Sequence, residues 1–250
     1  MTDEELLAVL RSAAGAVGEA LERTTDWGPS GAQPGQYLSD VAADRAAREV
    51  LQAAGLAVLS EESGHSDGKV DVTVVLDPLD GSTNASRRLS WWATSLCAVD
   101  ADGPRVALVV DLVSGRRYEA VRGRGATRDG ARIAPSAEER LGEAMVGING
   151  MPERPLGWLQ FRALGAAALD LCAVADGRLD GYVDCTDDGL APWDYLGGAL
   201  VCSEAGAVVT DLRGRELLDL DHGARRTVVA GATAALADAL GAARRASPAR

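Results

Sequence analysis

Phenylalanine, lysine and histidine are nearly missing from this chain, with one, one and two copies among 250 residues. A single Phe leaves the core to be packed by Ala, Val, Leu and Gly. Lys69 is the only lysine, so the other basic residues are all arginine, which reads as coding bias more than mechanism. Both histidines, His65 and His222, fall in loop-like stretches, so neither a histidine base nor a zinc centre is expected. The four cysteines, Cys97, Cys172, Cys185 and Cys202, form no Cys-x-x-Cys pair. Three sit in apolar segments, and buried free thiols in a cytoplasmic protein are the expectation. No apolar run approaches membrane-spanning length, and the acidic start, Met1-Thr2-Asp3-Glu4-Glu5, is unlike a signal peptide. Excess positive charge is lacking too. A net charge of −12 argues against a nucleic-acid surface or an anionic-membrane surface. It would also repel a phosphate ester unless cations offset it, so part of the acid excess is expected to ligate metal.

What is present reads as α+β followed by alternating α/β. Helical periodicity covers residues 3–23, opened by a Thr2/Glu5 capping box, and a Gly/Pro-rich loop spans 24–36. A helix is expected over 40–54, a short strand over 56–59, a polar loop over 64–69 and a strand over 72–76. Residues 93–99, 105–111 and 116–121 look like an antiparallel meander, turning at Asp102-Gly103 and Ser114-Gly115. A boundary in 134–143 separates an N-terminal α+β lobe, 1–140, from a C-terminal α/β lobe, 141–250. The second lobe reads helix 162–176, strand 179–184, helix 192–205, strands 207–210 and 226–230, and helix 233–244. Residues 247–250 are expected to fray. Such an order suggests stacked layers of helices and sheets.

The most informative stretch is Val74-Val75-Leu76-Asp77-Pro78-Leu79-Asp80-Gly81-Ser82-Thr83-Asn84. An apolar strand ends in two carboxylates, a glycine, two hydroxyls and an amide. Pro78 holds Asp77 extended, and Gly81 can take backbone angles that other residues avoid. The turn can aim Asp77, the Leu79 carbonyl and Asp80 at one point, an all-oxygen set suited to Mg²⁺. The N–H groups of Gly81, Ser82 and Thr83 can then open a helix and receive a phosphate. The competing reading is an ordinary Asp/Pro/Gly turn.

Asp77–Asn84 resembles the Asp-Pro-(Ile/Leu)-Asp-Gly-(Thr/Ser)-(Thr/Ser)-Asn signature of the inositol monophosphatase family. Leu59-Ser60-Glu61-Glu62-Ser63-Gly64 is similar to its Glu-Glu-Ser block. Trp193-Asp194-Tyr195-Leu196-Gly197-Gly198, followed by Ser203-Glu204-Ala205-Gly206, is similar to its second metal motif. The three come in the family's order, between about Val41 and Asp211. The resemblance implies a five-layer αβαβα sandwich and a Mg²⁺-dependent phosphomonoesterase. Two or three Mg²⁺ ions would be held by Glu61, Asp77, the Leu79 carbonyl, Asp80 and Asp194. Glu61, Asp44 and Ser82 would orient or deprotonate the attacking water, with Glu62 orienting its neighbours. For Asp44 the rival is Asp40, because Leu38-Ser-Asp-Val-Ala-Ala-Asp44 departs from the usual Asp-x-Val-Thr-x-x-Asp.

On the substrate side the resemblance points to Asp80, Gly81, Ser82, Thr83, Gly165, Ala166, Ala167 and Asp184. The last stands where the family has a glutamate that meets substrate hydroxyls. Three further departures are visible: Ala85 replaces an aromatic, Arg87-Arg88 replace a polar turn, and the stretch from Gly147 to Arg162 is short where the family carries an extra helix. The expected substrate is a small phosphate monoester of a polyol or sugar. Nucleotide 3′-phosphatase, fructose-bisphosphatase, histidinol-phosphatase or non-catalytic phosphate binding are the alternatives. A homodimer follows from the resemblance alone. Two other phosphatase patterns are set aside. Cys172-x₅-Arg178 places its cysteine within an apolar helix, and Asp100-Ala-Asp102 reads as a hairpin turn with no lysine downstream.

Overall fold

In the computed structural model, which describes residues 1–32 and 34–247, two mixed sheets alternate with three helical layers. Helix α1 (Asp3–Arg23) begins at the Thr2/Glu5 capping box, and α2 (Leu38–Ala53) packs along it. Strands β1 (Ala57–Ser60), β2 (Gly64–Ser66) and β3 (Thr73–Asp80) lead into the five-residue helix α3 (Ser82–Ser86). Then come β4 (Ala93–Asp100), β5 (Gly103–Asp111), β6 (Arg117–Val121), β7 (Gly125–Arg128) and β8 (Ala131–Arg132). All eight strands form one sheet in the order β2-β1-β3-β4-β5-β6-β7-β8.

After a 3-10 turn at Leu141–Glu143 come β9 (Met145–Asn149), β10 (Gln160–Arg162), α4 (Ala167–Ala175), β11 (Gly181–Asp184) and α5 (Pro192–Ala205). Strands β12 (Val208–Asp211) and β13 (Val228–Gly231) and helix α6 (Ala234–Arg245) complete the fold. The second sheet runs β10-β9-β11-β13-β12, with β10, β9 and β11 mutually parallel.

Strand alternation builds the layers. Val74 and Leu76 face α1 and α2, while Val75 faces the interior shared with α4 and α5. In the second sheet Tyr182 faces that same interior, and Val183 packs under α6. The order is therefore α1/α2, first sheet, α4/α5, second sheet, α6, the expected αβαβα sandwich.

Several elements differ from expectation. Gly64–Ser66, expected as loop, pairs with β1 as an edge strand. β3 does not stop at Leu76. It continues to Asp80 through a bulge, because Asp77 pairs with Ser95 but Asp80 pairs with Ala93. The expected helix 162–176 begins only at Ala167, since Gly165 at φ +85° breaks the run and Arg162 belongs to β10. Strands β7, β8 and β9 lacked a recognised pattern, and no helix lies between Asn149 and Ala167. Of the tail expected to fray, residues 248–250 lie outside the described residues.

Close approach within the middle layer depends on missing side chains. A Cβ on Gly198 would stand 2.7 Å from the Leu171 Cβ and 3.0 Å from the Ala168 carbonyl oxygen of α4. Gly198→Val is expected to destabilise the protein by roughly 1–3 kcal/mol through overpacking. Thermal denaturation checks this, and an unchanged Tm would show that α4 and α5 can separate without cost.

Candidate active site

The carboxylates singled out in the sequence meet at the seam between the sheets, Asp77 and Asp80 from β3, Glu61 from the turn after β1 and Asp194 from α5. Asp77 sits at the β3 bulge, only 1% exposed, and its Oδ1 accepts the Leu79 N–H at 3.0 Å. Asp80, also buried, ends β3, and its Oδ2 accepts the Ala168 N–H at 2.8 Å. The first N–H groups of α4 thus point at this carboxylate. Asp194 lies in the first turn of α5, where Pro192 opens the helix, and its Oδ2 accepts the Ala191 N–H at 2.6 Å. Glu61 follows β1, with its N–H bonded to the Leu76 carbonyl at 3.2 Å. Two helix N-termini therefore face one acidic group, as their dipoles favour.

The acids raise one another's pKa. Burial, then the charges of Asp194, Glu62, Asp40 and Asp80, push Glu61 from its ordinary 4.5 to about 9. Burial and Asp194 lift Asp80 to about 8 against the α4 N–H groups. Burial lifts Asp194 to about 7, with the Ala191 N–H and Arg225 pulling the other way. Asp77 is driven well above 3.8 by burial and by Glu61, Asp80 and Asp194. Among the described residues no three His, Cys, Asp or Glu side chains are gathered closely enough to form a metal cage. The donors nonetheless fit a hard divalent cation. They are all oxygen, and in Asp77, Asp80 and Asp194 one oxygen is fixed by a backbone N–H, while in Asp77 and Asp194 the other accepts no hydrogen bond from the described residues.

Beside them Gly81 caps α3 at φ 84°, a conformation only glycine adopts freely. Its position tolerates no side chain, because a Cβ would meet the carbonyl oxygens of Gly165 and Trp91 at 3.0 Å. Asn84 locks the seam by donating Nδ2 to Trp91 O at 2.8 Å and to Leu164 O at 2.7 Å. Ser82 is half-buried and Thr83 exposed at the start of α3, with Thr83 Oγ1 3.3 Å from the Tyr37 hydroxyl. Gly165, Ala166 and Ala167 line a cavity of about 270 Å³ together with Asp80 and Asp194.

Other expected residues fall differently. Asp44 is engaged by the Ser60 and Ser63 hydroxyls and lies 3.6 Å from Arg48, and its charge acts on Glu62. Asp40 is the α2 acid whose charge reaches Glu61; it is buried, lifted by that burial to about 7, and its Oδ1 has no partner. Glu62 turns aside to accept from Gln36. Asp184 is fully buried behind Asn149, which lines the cavity. Arg87 and Arg88 are exposed.

Two residues carried no signal in the sequence. His222, set aside as a loop residue, places Nε2 3.1 Å from the Glu61 carbonyl oxygen and stacks on Trp193 at 4.7 Å. Arg225 sits over the same indole at 5.4 Å. The set-aside Cys172 is buried in α4, and that burial pushes its thiol far up, away from thiolate chemistry.

The model of the inositol monophosphatase family matches residues 3–249. The chain belongs to the inositol monophosphatase family. It is 35% identical over 228 residues to the fructose-1,6-bisphosphatase/inositol-1-monophosphatase of Archaeoglobus fulgidus, covering 87% of this chain and 88% of that one. It is 36% identical over 173 residues to the Nus factor SuhB of Escherichia coli, a match spanning 63% of each chain. The inositol monophosphatase structure from Anabaena superposes with a TM-score of 0.80 at 25% identity, covering 98% of this chain and 97% of the other. Among the described residues no helix is long and apolar enough to cross a membrane.

The raised carboxylates have a consequence for stability. In the metal-free protein they bind protons that the unfolded chain has released, so stability falls as pH rises from the ordinary carboxylate range toward about 9. Tm in EDTA is therefore expected to fall between about pH 5 and about pH 9, and the rise on adding Mg²⁺ to grow across that window. Differential scanning fluorimetry checks it; a metal-free Tm that climbs over this range would contradict the burial of these charges.

Proposed function

We propose that the protein is a Mg²⁺-dependent phosphomonoesterase acting on a small polyol or sugar phosphate. The observation that carries this reading is the group of four acids from β3, the turn after β1 and the start of α5, three of them oriented by backbone N–H groups, beside the start of α3. Glu61, Asp77, the Leu79 carbonyl, Asp80 and Asp194 would hold two or three ions. Bound there, Mg²⁺ supplies Lewis acidity, neutralising phosphate charge and making water a nucleophile at neutral pH. The free N–H groups opening α3 at Ser82 and Thr83 receive the phosphate. Glu61 accepts the proton of the attacking water, and the Ser82 hydroxyl orients that water. Asp44 holds the turn carrying Glu61 and Glu62 through Ser60 and Ser63, and Asp40 is the α2 acid whose charge acts on Glu61. The leaving alcohol lies toward Gly165–Ala167 and the cavity behind them.

Four free, buried cysteines suit a reducing compartment, and we place the protein in the cytoplasm, as a homodimer in keeping with its family resemblance. Likeness to the Nus factor SuhB, a protein named as a factor and not as an enzyme, favours a second reading as a non-catalytic phosphate-binding relative.

Phosphate release from inositol 1-phosphate, fructose 1,6-bisphosphate, a nucleoside 3′-phosphate and histidinol phosphate separates these readings. Mg²⁺-dependent turnover is expected, fastest on a small polyol or sugar ester. A folded, Mg²⁺-binding protein that turns over none of them would support the second reading instead. Asp77→Asn is expected to lose more than the roughly 10–100-fold that removing a ligand's supporting partner costs. Its Tm in EDTA should not fall, because a repelled charge has gone. Substantial residual turnover would contradict the metal-holding role of Asp77.

A further inference from the structure

Asp77, Asp80 and Asp194 each have a carboxylate oxygen fixed by a backbone N–H, but among the described residues no hydrogen bond reaches the Glu61 carboxylate. Its aim is set by its main chain. The Glu61 N–H is tied to the Leu76 carbonyl of β3, in the first sheet, at 3.2 Å. Its carbonyl oxygen is met at 3.1 Å by His222 Nε2, from the loop that joins β12 to β13 of the second sheet. A carbonyl oxygen only accepts, so Nε2 carries the hydrogen. His222 is exposed, and core packing does not explain its place.

The loop holds that ring in place from several sides. Its base is pinned beside the start of α5, where the Leu190 N–H donates to the Arg226 carbonyl at 3.1 Å and the Arg226 N–H donates back at 2.8 Å. The buried Arg226 side chain donates to the Glu216 carbonyl at 2.8 Å and to Asp219 Oδ2 at 3.0 Å. At the tip, Asp221 Oδ1 accepts the Gly223 N–H at 2.6 Å, and Arg225 Nη1 donates to the His222 carbonyl at 3.0 Å. The imidazole lies against the buried Trp193 indole, 4.7 Å between centroids, and the Arg225 guanidinium is 5.4 Å from the same ring. Trp193 immediately precedes Asp194. Arg225 also reaches Asp194 by charge, opposing the rise that burial imposes. One imidazole thus touches the main chain of one acid and the chain neighbour of another, and the two come from different layers of the sandwich.

We propose that His222 is a positioning residue for the metal-holding acids, its ring clasping the Glu61 turn to the Trp193–Asp194 step and so setting the spacing of two carboxylates from different layers. The Nε2 hydrogen fixes the Glu61 peptide, and the face on Trp193 fixes the ring. This rests on the Mg²⁺-dependent phosphatase reading and adds to it the residue that spaces Glu61 from Asp194.

Two variants separate the hydrogen bond from the packing. His222→Leu keeps an apolar side chain on Trp193 and loses the N–H; His222→Gln offers an N–H again. In the metal-free protein, hydrogen exchange at the amides of Glu61 and Glu62 is expected to quicken about fivefold in His222→Leu and to return toward wild type in His222→Gln. Calorimetric binding of Mg²⁺ alone should weaken about tenfold in His222→Leu and stay within about threefold of wild type in His222→Gln. With inositol 1-phosphate at saturating Mg²⁺, the His222→Leu loss should fall on kcat and leave KM within about twofold. Exchange and Mg²⁺ binding in His222→Leu equal to wild type would overturn the clasp. Equal losses in both variants would overturn it too, since the N–H would then not be what counts. Wild type that binds no Mg²⁺ and turns over no phosphate ester would sink the phosphatase reading instead, and the metal-free exchange comparison would still judge the clasp.

Discussion

Repulsion between buried carboxylates is the constraint around which this molecule is arranged. Glu61, Asp77, Asp80 and Asp194 sit where burial and one another's charge hold their protons on far above the normal range. Isolated, such a group would not survive folding as charged species. It is made tolerable by the N–H of Leu79, the first turn of α4 and the N-cap of α5, which each take one oxygen of an aspartate. The remaining oxygens and the unmatched charge are what a divalent cation would satisfy.

The layered fold serves this junction. The middle helices must approach each other and the first sheet closely enough for two helix N-termini to reach one point. Gly197 and Gly198 allow it: a Cβ on Gly197 would lie 2.5 Å from Ser95 Oγ, and Gly198 abuts α4. The bulge in β3 then re-aims Asp77 and Asp80 without ending the strand. Asn84, from the α3 segment, ties the loop at Trp91 to Leu164 just ahead of α4. The acids, the Gly81–Asn84 turn and the cavity are thus parts of one seam between the sheets.

Much of this was legible in the sequence, for a local reason. Asp77 through Asn84 are neighbours in the chain, and an apolar strand running into Asp-Pro-Leu-Asp-Gly announces its geometry within a few residues. Glu61 and Asp194 were legible through their own short blocks. What escaped depends on distance along the chain. His222 meets Glu61 across 161 residues, from a loop with no periodicity of its own. Asn149 was hidden because β9, five residues ending beside Gly150, offers too little alternation to be read as a strand. The start of α4 was misplaced because Asp80, 88 residues earlier, caps it. Asp44 matched a motif position, yet two serine hydroxyls engage it, and Asp40, one helical turn earlier, stands nearer Glu61 electrostatically.

The central claim is that these acids hold protons which a bound cation displaces. Calorimetric titration of the metal-free protein with Mg²⁺ near pH 7, in two buffers of different ionisation enthalpy, measures this directly. The account predicts binding with net release of about one to two protons, diminishing above about pH 9 as Glu61 and Asp80 ionise unaided. Binding at pH 7 with no proton released, or no binding at all, would contradict it.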